Sequence, residues 1–486
     1  MDWKEIYERR LTTPEEAVKQ IRSGDLVAIP IFPPQTLQPA LYARHDELRD
    51  VKLRFIAPSS DPGWFKSGND QSFQPQFELY VGDFARFVMD ERRGDYVPNL
   101  FSLGFKHYDE RPGESPRADA VIVSVSPPNK HGYVHFGGHH WFKRAYVRRV
   151  RTAIAEVDPS LITVHGDVYA HVSEFSAFVE YAPPTLTPED FEKLIATMDE
   201  MRQREYHKIG QEINVQRLAP FVGVLGAVHP DDVRRILGLA EPPEYARAMA
   251  GYVESLIPDG ATIQVGTGEP GRLMPNLGVF DNKHDLGLHT ELGSPGYGRL
   301  VRDGVITGKY KSIHRGKAVA TAWTGCDDKD FEIIDDNPLF ELYDPDYVLN
   351  MRTLLQLDNY VTINNGIQVD LLGQANSESV FGGRMINGTG GQPEMMLAGT
   401  LSRGGKSILL LPSTALNGSV SRIVPQLEKG SLVTVPRFFV DYVVTEHGIA
   451  RLLGKSHRER ANELIAIAHP DFRAELRREA EKLWWP

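Results

Sequence analysis

The chain has 486 residues, 41% of them hydrophobic and 24% charged, with a formal net charge of −11. That length exceeds one ordinary core and points to two large domains, while the composition excludes extended disorder and no apolar run reaches the roughly 20 residues of a membrane helix. The acidic balance argues against nucleic acid as the main partner, and a single cysteine, Cys326, excludes an internal disulfide or a cysteine-rich metal site.

Met1-Asp2-Trp3-Lys4-Glu5 lacks the basic and apolar regions of a signal peptide, so a cytoplasmic location is expected. Thr13-Pro14-Glu15-Glu16 reads as an N-cap, a proline at the first helical position and a capping-box glutamate, with Ser23-Gly24 closing that helix. A buried strand is predicted over 26–31. Pro30, Pro33 and Pro34 then forbid a helix and stiffen the loop holding Phe32 and Gln35, at the strand end where open α/β sheets keep their ligands. Further β-rich runs at 53–57, 120–125 and 152–157 alternate with helical or loop segments, the pattern of a largely parallel sheet covered on both faces.

The turn Ser126-Pro127-Pro128-Asn129-Lys130-His131-Gly132-Tyr133 follows, and then the aromatic run Phe136-Gly137-Gly138-His139-His140-Trp141-Phe142. The spacing of His131, His135, His139 and His140 matches no standard zinc pattern, so no metal is expected. Residues 187–219 read as helical and charged, capped by Thr187-Pro188-Glu189-Asp190. The domain boundary is placed there, giving an N-terminal domain over 1–218 and a C-terminal domain over 219–486. A second helix is predicted over 243–256, ending at Pro258-Asp259-Gly260. The strand expected over 261–265 runs into Gly266-Thr267-Gly268, two spaced glycines suited to close backbone contact with a ligand but without the later glycine and acid of a dinucleotide motif.

Leu286-Gly287-Leu288-His289-Thr290-Glu291 sets a carboxylate after a short apolar run, and Glu291 is the candidate nucleophile, since a carboxylate can attack an activated acyl group to give an anhydride. A hundred residues on, Gly388-Thr389-Gly390-Gly391-Gln392 has the glycine density of an N–H nest for an oxyanion or phosphate. Between them lies Thr362-Ile363-Asn364-Asn365-Gly366. The last third carries Lys406-Ser407-Ile408, Ser421-Arg422-Ile423-Val424-Pro425, Val444-Thr445-Glu446-His447-Gly448 and Ala468-His469-Pro470-Asp471-Phe472 in order.

Taken together these segments resemble the acetyl-CoA hydrolase/transferase family, over most of the chain. The resemblance implies two similar open α/β domains with mostly parallel sheets and the active site between them. It implies acyl-CoA:carboxylate CoA transfer through a glutamyl-CoA thioester on Glu291, with Asn364 holding that carboxylate by a side-chain hydrogen bond. Gly266, Thr267, Gly268, Gly388, Gly390, Gly391 and Gln392 would supply oxyanion and CoA contacts, and Lys406 would approach the CoA phosphates as a point charge. The N-terminal half would shape the acyl pocket, where Phe32 and Gln35 stand in a loop that is richer in glycine in many relatives, and His139, His140 and Trp141 where relatives carry small and polar residues; both departures suggest a bulky, cyclic or aromatic acid. Acyl-CoA and a free acid are then the partners, coenzyme A is a substrate rather than a cofactor, and a homodimer is implied. Two other readings stay open: an acyl-CoA hydrolase on the same fold, and an α/β protein using the glycine loops as sugar-phosphate nests.

Overall fold

The computed structural model describes residues 2–79, 85–222, 224–226, 228–380 and 382–485. Among them, seven strands form a first sheet in the spatial order Ala177–Glu180, Thr152–Val157, Ala120–Val125, Leu26–Ile29, Val51–Phe55, Phe73–Phe77, Asp95–Tyr96, every pair parallel. A nine-stranded sheet follows the order Gly448–Arg451, Tyr442–Thr445, Lys406–Leu410, Tyr360–Asn365, Thr262–Val265, Gly287–His289, Ala318–Ala320, Phe340–Leu342, His165–Gly166. Only its terminal hairpin, Tyr442–Thr445 with Gly448–Arg451, is antiparallel.

Counting strands along the chain, both sheets share one arrangement: seventh, sixth, fifth, first, second, third, fourth. The second sheet adds the hairpin strand at one edge and His165–Gly166 at the other. The two domains are therefore alike in topology, a likeness with no visible sequence repeat behind it.

Side-chain alternation explains the strands. Leu26 and Ala28 enter one apolar cluster while Val27 and Ile29 enter another, and Ile408 and Leu410 part from Leu409 in the same way in the second sheet. Period-two alternation between two buried faces is what a helix-covered parallel sheet requires. Pro30 stops the first strand at Ile29, two residues short of the predicted end. Phe73–Phe77 gave no sequence signal because Gln74 and Gln76 read as polar and Pro75 cannot donate to a ladder, yet Pro75 sits opposite Leu53 in register.

The helical stretch predicted over 187–219 is divided into Pro188–Ile195, Glu200–Glu212 and the 3-10 helix Val215–Phe221. Fresh caps cause the breaks: the side chain of Asp199 accepts from the Arg202 N–H and that of Asn214 from the Gln216 N–H. The boundary drawn at 218 falls inside Val215–Phe221 and inside an apolar cluster running from Leu186 to Val233. The link is thus a helical layer of its own, and His165–Gly166 crosses to the second sheet ahead of it. The domains also share a core: Val121 and Val123 of the first sheet lie in one apolar cluster with Leu349, Tyr360 and Met395 of the second domain. No helix among the described residues is long and apolar enough to cross a membrane.

Candidate active site

In the second sheet the chain builds outward from Thr262–Val265 on one side and returns as Tyr360–Asn365 on the other. Such a switch point opens a crevice at the carboxyl ends of the strands. Three strands end there, at Gly266-Thr267-Gly268, at Thr290-Glu291 and at Asn364-Asn365-Gly366. A cavity of ≈ 280 Å³ lies over them, closed by residues 386–392 and by Leu79 of the first domain.

Glu291 is fixed from behind and from in front. Its carbonyl accepts from the backbone N–H of Thr321 at 2.9 Å and the hydroxyl at 2.5 Å, which extends the ladder beyond Gly287–His289. Its carboxylate Oε2 accepts from the N–H of Gly391 at 2.7 Å. Gly391 caps helix Gln392–Leu401, so the carboxylate faces the positive end of a helix dipole. Burial nevertheless pushes the Glu291 carboxyl up to about 8; the Gly391 N–H opposes that shift and nearby Glu394 adds to it.

The glycines of this loop are there for contact. A Cβ on Gly391 would lie 2.2 Å from Glu291 Oε2, and one on Gly388 would lie 2.0 Å from the Tyr96 hydroxyl oxygen. Gly390 takes a left-handed φ of 58°. The first domain holds the loop in place: the Gly388 N–H donates to Leu79 O at 2.5 Å, the Thr389 N–H to the Tyr96 hydroxyl at 3.3 Å, and Arg384 pairs with Asp90 at 2.6 Å. In the helix just beyond, Glu394 accepts from the Ser102 N–H at 3.1 Å. This loop is therefore an interdomain structure.

The cavity brings together Glu291, Asn364, Gly266, Thr267, Gly268, Gly388, Gly390, Gly391 and Gln392. Asn364 differs from its expected part. Its amide pairs both ways with Gln264, at 3.0 and 3.2 Å, in a nearly dry position, and the Glu291 carboxylate takes its hydrogen bond from the Gly391 backbone instead. Each of the two buried amides gives the other one donor and one acceptor, which offsets much of the cost of burying them.

Lys406 is not at the site. It opens strand Lys406–Leu410, and in a parallel sheet the start of a strand lies at the end opposite the crevice. There its ammonium donates to Leu256 O at 2.5 Å, capping the carbonyl end of helix Glu244–Leu256.

The five residues assigned to an acyl pocket do not line the cavity. His140 and Trp141 are fully buried, His140 3.2 Å from Asp344 and Trp141 edge-on to Phe101 with ring centres 5.0 Å apart. Phe32 stacks on His139 at 4.1 Å, and the His139 ring meets Thr324 Oγ1 at 3.0 Å; burial lowers this imidazole to about 3. The Gln35 N–H donates to Glu156. Large aromatic surface is most stable when packed away from water. The segment still bears on the site, because the Trp141 N–H donates to Thr321 O, and Thr321 is the residue that holds Glu291.

Sequence reasoning passed over Leu79, Asn365 and Arg422. Asn365 accepts from the Gly271 N–H at 2.7 Å and ties the two strand ends together, and Arg422 lines the cavity wall. The adjacency of Asn365 to Asn364 and the basic residue in Ser421-Arg422-Ile423 were available signals; Leu79 had none.

The N-terminal domain of acetyl-CoA hydrolase/transferase matches residues 1–199, and the C-terminal domain of the same family matches residues 327–480. The chain is 35% identical to the 4-hydroxybutyrate coenzyme A transferase of Clostridium kluyveri over 99% of this chain and 100% of that protein. It is 30% identical to the succinyl-CoA:cyclohexane-1-carboxylate CoA transferase of Geobacter metallireducens over 99% and 97%. The crystal structure of RipA from Yersinia pestis superposes with a TM-score of 0.80 at 30% identity, covering 100% of both chains. The chain belongs to the acetyl-CoA hydrolase/transferase family. Within it, the chain is an enzyme of the CoA-transferase class.

Proposed function

We propose that this protein transfers coenzyme A from an acyl-CoA to a free carboxylic acid, with Glu291 as the covalent carrier. The observation that carries the reading is the 2.7 Å bond between Glu291 Oε2 and the Gly391 N–H, inside a cavity at the sheet switch point. In this scheme the ionised carboxylate attacks the thioester carbonyl, the C–S bond breaks, and CoA thiolate leaves behind a mixed anhydride. The thiolate then attacks the glutamyl carbonyl, the first acid departs as its carboxylate, and Glu291 holds CoA as a thioester. A second carboxylate attacks that thioester and the steps run in reverse, so coenzyme A enters as a substrate and no further cofactor takes part.

Each step builds an oxyanion, and backbone N–H groups in place beforehand stabilise it; losing one such donor typically costs about 3 to 4 kcal/mol. Gly268 and Gly390 line the cavity with N–H groups that meet no acceptor among the described residues and fill this part; the N–H groups of Gly266 and Gly388 are given to Ile363 O and Leu79 O, and that of Gly391 to Glu291 itself. Asn364 acts through Gln264 as a rigid wall beside Glu291.

The case for a cyclic acid no longer rests on the aromatic run, which packs behind the site. The apolar side chains at the cavity are Leu79, Leu292, Ile367 and Ile386, and the acids named for the two relatives above, 4-hydroxybutyrate and cyclohexane-1-carboxylate, define the range to screen. A homodimer is proposed, with light scattering on the purified protein as its check.

Intact-mass spectrometry after incubation with acetyl-CoA or succinyl-CoA and no acceptor tests the mechanism. The wild type is expected to carry one CoA adduct and Glu291→Ala none. Release of CoA without an adduct, independent of added acid, would make the hydrolase reading correct.

A further inference from the structure

Among the described residues, three charged side chains line the cavity: Glu291, Glu269 and Arg422. Glu269 has a counter-ion, since Arg272 Nε lies 3.4 Å from Oε1. Arg422 has none within ion-pair distance among the described residues. It is instead held by two carbonyls from separate loops, Nε donating to Thr414 O at 3.1 Å and Nη1 to Ile367 O at 3.1 Å. Nη2 meets no protein acceptor among the described residues.

The acidic groups acting on Arg422 from neighbouring elements are Tyr245 and Glu446, and the desolvation of the guanidinium outweighs both, lowering its pKa. Glu446 is engaged elsewhere, accepting from the Ser413 N–H at 2.9 Å and hydroxyl at 2.5 Å. A partly dehydrated cation that is rigidly oriented yet lacks a counter-ion is costly to keep in that state. A guanidinium fork is shaped to take a carboxylate or phosphate, with geometry as well as charge.

We propose that Arg422 is the oxyanion anchor of this active site, receiving an anionic group of the substrate at a point remote from the thioester carbon. The inference rests on the CoA-transfer reading and adds the part of the substrate that this residue recognises. Two groups carry the required chemistry: the distal carboxylate of a dicarboxylic acyl group, and the diphosphate of coenzyme A. One cavity of ≈ 280 Å³ is lined by both Glu291 and Arg422, so a single bound substrate faces both.

The test compares wild type, Arg422→Gln and Arg422→Lys with succinyl-CoA, butyryl-CoA and butyryl-pantetheine as donors to a common acceptor. Removing a hydrogen bond to a charged group costs about 10- to 150-fold, and that loss in kcat/KM, carried by KM, is expected for Arg422→Gln, with partial recovery in Arg422→Lys. A loss confined to succinyl-CoA assigns the anchor to the acyl carboxylate. A loss equal for both CoA esters and absent with butyryl-pantetheine assigns it to the diphosphate. Equal loss with all three donors, or no loss at all, overturns the proposal; the first would make Arg422 a strut between the Thr414 and Ile367 loops, which a parallel fall in Tm would also report. Direct titration of succinate and of CoA into wild type and Arg422→Gln reads the anchor without turnover. If Glu291 forms no adduct in the wild type, this titration still decides the role of Arg422.

Discussion

Gly391→Ala separates the geometry of the catalytic carboxylate from the stability of the loop around it. The backbone at 391 has φ −81° and ψ 4°, which alanine adopts without strain, so the effect of the added methyl is steric. Built on this backbone, the Cβ lies 2.2 Å from Glu291 Oε2 and 2.3 Å from Leu349 Cδ2. Reaching an ordinary contact near 3.4 Å moves the carboxylate by more than about 1 Å, a displacement that can cost a reaction 10²-fold. The backbone N–H remains in alanine, but the displaced carboxylate leaves its 2.7 Å hydrogen bond.

The expected result is therefore a fall in kcat of at least about 10²-fold, with CoA adduct formation slowed equally in single-turnover mass spectrometry. Overpacking against Leu349 should destabilise the protein by about 1–3 kcal/mol. Leu349→Val removes the second clash and not the first, so Gly391→Ala with Leu349→Val should regain stability and stay inactive. Gly390→Ala is the control: its left-handed φ of 58° costs about 1–2 kcal/mol, while its Cβ meets Leu79 at 3.3 Å and only approaches Glu291 at 3.8 Å, so adduct formation should survive. Adduct formation by Gly391→Ala at the wild-type rate would refute the placement of the carboxylate against this N–H.

The raised Glu291 carboxyl, about 8, predicts that kcat/KM climbs tenfold per pH unit below that value and levels above it, because the ionised form attacks. Glu394 shares the helix start and raises Glu291 by its charge, so Glu394→Gln should move the climbing limb to lower pH; Gln keeps an acceptor for the Ser102 N–H, and an unmoved limb would remove Glu394 from the account. For stability the sign is the reverse of the salt-bridged case: with a folded value of about 8 against an ordinary 4.5, the folded state holds the proton longer, so its stability falls as pH rises from about 4.5 to about 8. Glu291→Gln should remove its share of that fall, up to ~5 kcal/mol less what water recovers, as read by chemical denaturation at pH 5 and 8, while the smaller shares of Glu78 and Glu394, both raised by burial to about 7, remain. Lys406→Met should leave KM for acyl-CoA unchanged and lower Tm, since its ammonium caps Leu256 O; a raised KM would return Lys406 to the phosphate site.

How much of this was legible differs from residue to residue. Ala120–Val125 and Thr152–Val157 were readable with both ends, because each is a short run of apolar and β-branched residues broken by one polar residue, Ser124 or Glu156, and bounded by polar or turn-forming neighbours. The fold class and the family were likewise available, the first from alternating strand and helix signals, the second from the order of its motifs. The aromatic run 136–142 misled, because a sequence states that tryptophan and histidine will be sheltered from water and does not state whether a core or a ligand shelters them. Lys406 misled for a related reason: which end of a parallel strand faces the crevice follows from the direction of the whole sheet.

The sequence by itself determined the two parallel-sheet domains, the glycine loops and the chemical type of Glu291, because periodicity, turn residues and residue chemistry are local properties. The tertiary structure decided what those parts do to one another. Gly391 lies 100 residues after Glu291 and donates to its carboxylate only because the strand order places both at one switch point. Tyr96 and Leu79 shape the loop from the other domain, Gln264 takes the amide expected to hold Glu291, and Arg422 faces the cavity with no counter-ion among the described residues. Each of these depends on distances across the fold, which only the completed packing of the two sheets sets.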